Sequence, residues 1–562
     1  MTNRIHVSGL FSEAVRWRAL AAFCLLLMAY CLPARAQESD RGKAEAWGQL
    51  RVTVVDHDSG KPVAARCYLT DPTGQFWSPA GAINYIRLPE RNFVTLGEFR
   101  IALPPRTYTL VVERGPEYQG VTREIAMSAG EAREETVELG RWINMNARGW
   151  YSGDLHNHRD WQEISSLLLA NDLNLATTLT EWIWENAPNS RAPESHDGKP
   201  PAIHEVDATH AYSIFDTEIE RLQDGPGAVD LVGLRAPVAF HGYLVYPPNT
   251  EFTAAAHRLG GYVDAEKITW RDGAALVALG QVDFAGLVHN HFNRHGVETD
   301  TAGWGMIPKQ KPEYDTPAGM ALWTMETYYR LLNCGFKLPV SGGSASGVKP
   351  SPLGFDRVYA HLTGKFSYAD WFRTLKAGRS FATNGPMLFL TVNGREPGGL
   401  VVIPEGKPGK PSPTTGKLQV HVEAGSSHEL DRVEVVWKGR ILKTLAPAND
   451  PTRASGEFEF DPDDTGWLAA RAFERPAPAI RFAETSPVYV QRGSSRGLVP
   501  EDAKYFVGLM DQGLKFYQNY PGFRSEADRQ AMLEVFRRAR GVYERLATAR
   551  GATLTEPALA KP

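Results

Sequence analysis

The chain has 562 residues, 43% of them hydrophobic and 22% charged, with a formal net charge of −4. A length of this order holds several domains, because single cores stop growing at roughly 250–300 residues. The near-balanced charge, with no basic stripe and no Arg-rich run, excludes a nucleic-acid-binding protein.

The first segment reads as a targeting signal. Arg16 and Arg18 precede the apolar run "ALAAFCLLLMAYCL" (19–32), which is followed by "ARA" and then "QESD". That order of basic, apolar and small residues predicts a secretory signal over residues 1–36, cleaved after Ala36. The run is too short and wrongly flanked for a transmembrane helix. The expected product is periplasmic or secreted, without a membrane span. It keeps only Cys67 and Cys334, too few for a disulfide scaffold.

From residue 48 to 140 the pattern is of short alternating strands separated by Gly and Pro turns. Thr107, Thr109 and Val111 alternate with Tyr108, Leu110 and Val112, and Asp58-Ser59-Gly60 marks a turn. Runs of this kind within about a hundred residues predict a β-sandwich. The phrases "DHDSGKPVAAR" and "PPRTYTL" resemble the carboxypeptidase-regulatory or transthyretin-like sandwich, a module that supports or binds.

Between 149 and 385 strands and helices alternate. "LATTLTEW", "AYSIFDTEIE", "AGLVHNH", "LPVSGGSASG" and "RVYAHL" are the predicted strands. "ISSLLLANDL", "EFTAAAHRLGG", "TMETYYRLLNCG" and "YADWFRTLKAG" are the predicted helices. Such alternation implies a parallel sheet or barrel with functional residues at strand C-termini. Residues 386–495 return to strands, with a β–β loop over the Pro/Gly-rich stretch 404–416. Residues 499–550 show two helical stripes, one through Phe506, Leu509, Met510, Leu514 and Tyr517. The other runs through Met532, Val535, Phe536, Ala539, Tyr543 and Leu546. A break at "PGFRSEAD" with an N-cap at Ser525 makes this a helical hairpin.

The chemistry concentrates in the central region. In "SGDLHNH" (152–158) period-two alternation places Asp154, His156 and His158 on one strand face. A surface strand with incidental histidines would look the same in isolation. However, ten of the fifteen His lie between 156 and 295, and "VHNHF" supplies a second such pair, His289 and His291, at another strand end. His210 precedes a strand carrying Glu218 and Glu220 on one face, and Glu181 ends a further strand. Imidazole with carboxylate is a ligand set for Zn, Mn or Fe, which acidify a bound water. Fourteen Trp, with Trp150, Trp161, Trp182 and Trp184 near the motif, suit a small organic or carbohydrate-like substrate as well as core packing.

Asp-Leu-His-x-His opening an α/β region resembles the first motif of the PHP (polymerase and histidinol phosphatase) metallohydrolases. The longer phrases "GWYSGDLHNHR", "LLNCGFKLPVSGGSASGV", "RVYAHL" and "LKAGRSFATNGPMLFLTVNG" resemble the exported CehA/McbA-type, carbaryl-hydrolase-like branch, over about residues 48–550. The resemblance implies a distorted (β/α)7 barrel with a metal site at its strand C-termini. It implies His156 and His158 as ligands, with Asp154 orienting one of them. Where the family commonly has Thr-Asp-His this chain has Thr180-Glu181-Trp182, and where it has Gly-Ser-Asp-Ala-His the chain has Gly343-Ser344-Ala345-Ser346-Gly347. Ligands are thereby lost, so one ion, or at most two, is expected. Ser344 and Ser346 lie in no nucleophile elbow and are expected to order a loop.

The expected fold is therefore multidomain: an N-terminal β-sandwich, a central α/β PHP-like distorted barrel, a C-terminal β-rich segment and a helical hairpin. The expected activity is an exported metal-dependent hydrolase using a metal-bound hydroxide on an ester, amide, carbamate or phosphoester. Its ligands would be His156, His158, Glu181, Glu218 and one of His289 and His291, with His291 preferred. His210 is the candidate acid/base, with a structural role as the alternative. The rival reading is a degenerate barrel that binds a carbohydrate or other small ligand without turning it over.

Overall fold

Alternation in the first hundred residues does what the pleat requires. In the strand Thr107–Glu113, Tyr108, Leu110 and Val112 are fully buried while Thr107 and Thr109 face solvent. The computed structural model describes residues 46–194, 199–299, 304–404 and 416–549. The expected signal at 1–36 and most of the 404–416 loop lie outside them.

The architecture is multidomain and strand-rich, with seven α-helices among the described residues. Residues 48–139 build two sheets. Gly48–Asp56 lies between Glu98–Leu103 and Ala132–Leu139 in one. The other runs in the order Asn84–Arg87, Glu90–Thr95, Ala65–Thr70, Thr107–Glu113, Val121–Ala126. Val52, Leu69, Phe93, Tyr108 and Val137 from both sheets share one apolar core.

The central strands are divided among three sheets, and no closed barrel forms among the described residues. Trp150–Asp154 runs parallel to Leu175–Ala176, which runs parallel to His210–Ser213. On its other side Trp150–Asp154 pairs antiparallel with Arg357–His361. This sheet continues through Ser380–Thr383 into Phe482–Thr485 and Gly466–Glu474, so it crosses the expected boundary at 385. A second sheet contains Leu179–Trp184, parallel to Asp216–Arg221, followed by antiparallel Gly227–Val232 and Tyr262–Asp264. A third pairs Ala285–His289 with Val340–Gly343 in parallel.

The departure from an all-parallel ring has a local cause. Residues 222–226, with Gly225 and Pro226, are too few for the crossover that a parallel return needs, which takes a dozen or more residues. The chain therefore turns back as a hairpin. Two predicted strands also break in the middle. "LATTLTEW" divides at Thr177-Thr178 and "AYSIFDTEIE" at Ile214-Phe215, each passing from the first sheet to the second. The buried carboxylate of Asp216 holds this corner by accepting from the backbone N–H of Thr178 (3.1 Å) and of Leu234 (3.0 Å), and from the Ser213 hydroxyl.

The predicted helices form as Ile164–Ala170, Asn249–Arg258, Pro317–Asn333 and Tyr368–Lys376. The last two helices, Pro500–Asn519 and Glu526–Thr548, are the expected hairpin, and Ser525 caps the second by accepting from the N–H of Asp528 at 3.1 Å. Phe506, Met510, Phe536 and Tyr543 are buried in the main core, each contributing about 1.5–3 kcal/mol through apolar burial. The Tyr543 hydroxyl also donates to the carbonyl of Ala274 at 2.7 Å, tying the hairpin to the central region. None of the described helices is long and apolar enough to cross a membrane.

Candidate metal centre

The strand Trp150–Asp154 ends where the histidines begin, and residues 155–158 lie against the segment 343–347. Backbone bonds run both ways: the N–H of Ala345 donates to the carbonyl of His156 (2.8 Å), and the N–H of His158 to that of Ser346 (2.7 Å). The approach requires glycine. A Cβ on Gly343 would stand 2.4 Å from His156 Cβ, and one on Gly347, whose φ is +108°, 2.7 Å from the backbone carbon of His158.

Asp154 stabilises this loop junction. Its Oδ1 accepts from the N–H of His156 (3.0 Å) and of Ser344 (3.1 Å), and its Oδ2 from the N–H of Gly354 (2.7 Å). The expected contact with an imidazole ring is replaced by these backbone bonds, so Asp154 positions the His156 main chain. The Ser344 hydroxyl bonds the backbone of Asp356, consistent with its expected loop-ordering role.

His156 and His158 then point together. Their Nε2 atoms are 2.9 Å apart, and Glu218 brings Oε2 to 3.0 Å from His158 Nε2 and Oε1 to 3.7 Å from His156 Nε2. All three residues are at most 4% exposed. Although Glu218 Oε2 lies within ion-pair distance of His158, the two are not aligned as donor and acceptor, and Oε2 has no hydrogen-bond partner. Three donor atoms within 4.8 Å of one another, the two imidazole Nε2 atoms bonded to each other and the Glu218 Oε2 unpartnered, suit one ion bound at about 2.0–2.2 Å.

The electrostatics make His158 a neutral donor, while Glu218 must lose a proton to bind an ion. Burial, and then the charges of Glu220, Asp230 and Glu266, pushes the Glu218 carboxyl well above its ordinary range. Burial, and then His156, holds His158 well below the ordinary imidazole value, so it is a neutral ligand-capable ring. On the far side of His156, Nδ1 stands 3.1 Å from Asp230 Oδ2 and 3.5 Å from Glu266 Oε1. A carboxylate on Nδ1 orients an imidazole and leaves Nε2 for a metal. Asp230, Glu266 and the neighbouring Lys267 are the residues that sequence reading missed. The available signal was a lone acid inside the otherwise apolar strand "GAVDLV".

The remaining predicted residues fall elsewhere. Glu181 is turned away: Trp182 pairs in register with Glu218 and Trp184 with Glu220, so those four share a face that period-two alternation denies to Glu181. Trp182 accordingly packs on His158, with ring centroids 4.9 Å apart, and donates from Nε1 to Glu220 Oε2 at 2.9 Å. His210 sits at the N-terminal end of its strand, level with Ser152, four residues before His156, two strands away in the sheet. Its Nδ1 contacts Asp207 at 2.8 Å, a local structural pairing remote from Glu218 and the histidines.

His289 and His291 are buried together, their ring centroids 5.5 Å apart, with His291 against Trp304. Neither belongs to the close donor group of His156, His158 and Glu218. His289 Nε2 and both His291 nitrogens lack hydrogen-bond partners, and His291 Nε2 stands 3.7 Å from Glu298 Oε2. Burial, and then Lys267, holds both well below the ordinary imidazole value.

No family model matches the chain, and no curated protein matches it. Among solved structures, a Bacillus anthracis TIE protein is 18% identical with a TM-score of 0.14, covering 21% of this chain and 20% of its own. Phospholipase PlaB from Legionella pneumophila is 14% identical with a TM-score of 0.14, covering 18% of this chain and 27% of its own. A putative beta-galactosidase from Bacteroides fragilis is 11% identical with a TM-score of 0.17, covering 78% and 71%. The chain thus spans about a fifth and about a quarter of the first two. Likeness this slight assigns neither fold nor function.

Proposed function

We propose that this chain is an exported metal-dependent hydrolase of the PHP type, CehA/McbA-like, whose N-terminal sheets are a regulatory-like sandwich and whose central sheets are an opened, distorted form of that family's barrel. The single observation that carries the reading is the convergence of His156, His158 and Glu218 in the buried interior. A divalent Zn, Mn or Fe ion held there supplies Lewis acidity and brings the acidity of water close to neutrality. The chain's own part is to hold the donors. Asp154 and the 343–347 loop fix the His156 main chain, Asp230 orients the His156 ring, and Trp182 shields His158 from solvent.

Hydrolysis of an ester, amide, carbamate or phosphoester needs no side-chain nucleophile under this scheme. The test is elemental analysis of full-length protein grown with Zn, Mn and Fe, alongside turnover of model substrates before and after chelation. Bound metal, with hydrolysis lost on chelation and restored on reloading, supports the reading. Metal-free protein that binds carbohydrate without turnover would replace it with a binding module.

A further inference from the structure

Behind His156 lies a second charged group that the ligand set above does not use. Lys267 is 1% exposed and ion-pairs with Glu266 Oε1. The same Glu266 oxygen accepts from Asn290 Nδ2 at 3.1 Å and stands 3.5 Å from His156 Nδ1, while Glu266 Oε2 accepts from Trp270 Nε1 at 2.6 Å. The ammonium also lies 5.0 Å from the centroid of the Trp270 ring. Asp230 and Glu220 are within its electrostatic reach, and so are His289 and His291.

Glu266 stands against His156 Nδ1 and accepts from Asn290, the residue between His289 and His291, and buried carboxylates beside imidazoles would ordinarily gather a divalent ion, as two-metal hydrolytic sites do. Here the Glu266 carboxylate is already paired with a cation, Lys267. A buried ammonium fixed by a carboxylate neutralises the acids and repels an incoming ion, an effect that low dielectric makes strong.

We propose that Lys267 stands in the place of a second metal ion, so that the pocket accepts one ion, at His156, His158 and Glu218, and His289 and His291 are kept from binding another. The inference rests on the metal-centre reading above, and the experiment separates the two. Metal-stripped full-length protein is titrated with Zn²⁺ or Mn²⁺ alone by calorimetry, and bound metal is counted by elemental analysis. Wild type should take one equivalent. Lys267→Met and Lys267→Gln should take two, and Lys267→Arg, which keeps the charge, should stay at one, with folding checked by circular dichroism. Two equivalents in wild type overturn the proposal whatever the variants do, as does a folded Lys267→Met or Lys267→Gln protein that still takes only one. Wild type that binds none overturns the metal centre itself, and this inference with it.

Discussion

Arg294 forks its guanidinium onto both oxygens of Glu113, at 2.6 and 2.8 Å, although Glu113 lies in the N-terminal sheets and Arg294 in a turn beyond the central strand Ala285–His289. Glu113 ends a strand of the N-terminal sheets, and Arg294 lies three residues beyond His291. Around this pair the contacts multiply. His295 Nε2 contacts Glu90 at 2.7 Å, and the Tyr85 hydroxyl accepts from the N–H of Gly347 at 2.9 Å. Arg159, next to His158, donates to the carbonyl of Asn84 at 3.1 Å. The N-terminal sheets therefore brace the loops that follow His158, His291 and Ser346, and the region is tightly docked rather than an appendage.

Replacing Glu113 by Gln should leave Arg66 and Arg294 without their shared carboxylate and lower stability by about 2–4 kcal/mol, read as a shifted urea midpoint. Against burial, Arg294 and Arg66 hold the Glu113 carboxyl below its ordinary range. Its contribution is thus complete above the unfolded value and lost as pH falls below about 4.5. The variant should lose this part of the acid dependence.

Glu218→Gln and Glu181→Gln separate the two candidate acids. The first should deplete bound metal at least about tenfold, since even groups that only orient ligands cost about 10–100-fold. The second should leave metal content unchanged, because its side chain is on the opposite face of the strand. Equal depletion in both would contradict the strand register.

His156→Ala with His158→Ala removes two of the three converging donors. The double variant should bind no metal but retain its circular dichroism spectrum, because neither ring is part of the main apolar core that holds the fold together. His210→Ala should keep its metal and any hydrolytic activity, with a stability loss of about 1 kcal/mol from the lost Asp207 contact.

Glu484 supplies a pH dependence away from the metal centre. It is fully buried, bonded to the Tyr329 hydroxyl at 2.9 Å, and burial pushes its carboxyl up to about 8. Between its ordinary value and 8 the folded state holds a proton that the unfolded state has released. Stability should then be highest below about pH 4.5 for this group. It should decline by up to about 1.4 kcal/mol per pH unit as pH rises toward 8. Unfolding midpoints measured from pH 5 to 8 should show a flatter profile in Glu484→Gln.

Local chemistry was legible in the sequence alone. Period-two alternation at Tyr108, Leu110 and Val112, the stripes through Phe506 and Phe536, and the cap at Ser525 depend on neighbours a few residues away, and each stands in the structure as expected. The pairing of His156 with His158 is local too. Which acid would join them was not, because Glu181 and Glu218 are equivalent until strand register assigns their faces. The depth of His210 in its sheet, the backbone role of Asp154, and the arrival of Asp230, Glu266 and Lys267 likewise depend on contacts between distant segments. The hairpin at Gly225-Pro226 and the corner held by Asp216 decided those contacts, by carrying strands from one sheet to the next where alternating elements alone imply a continuous ring.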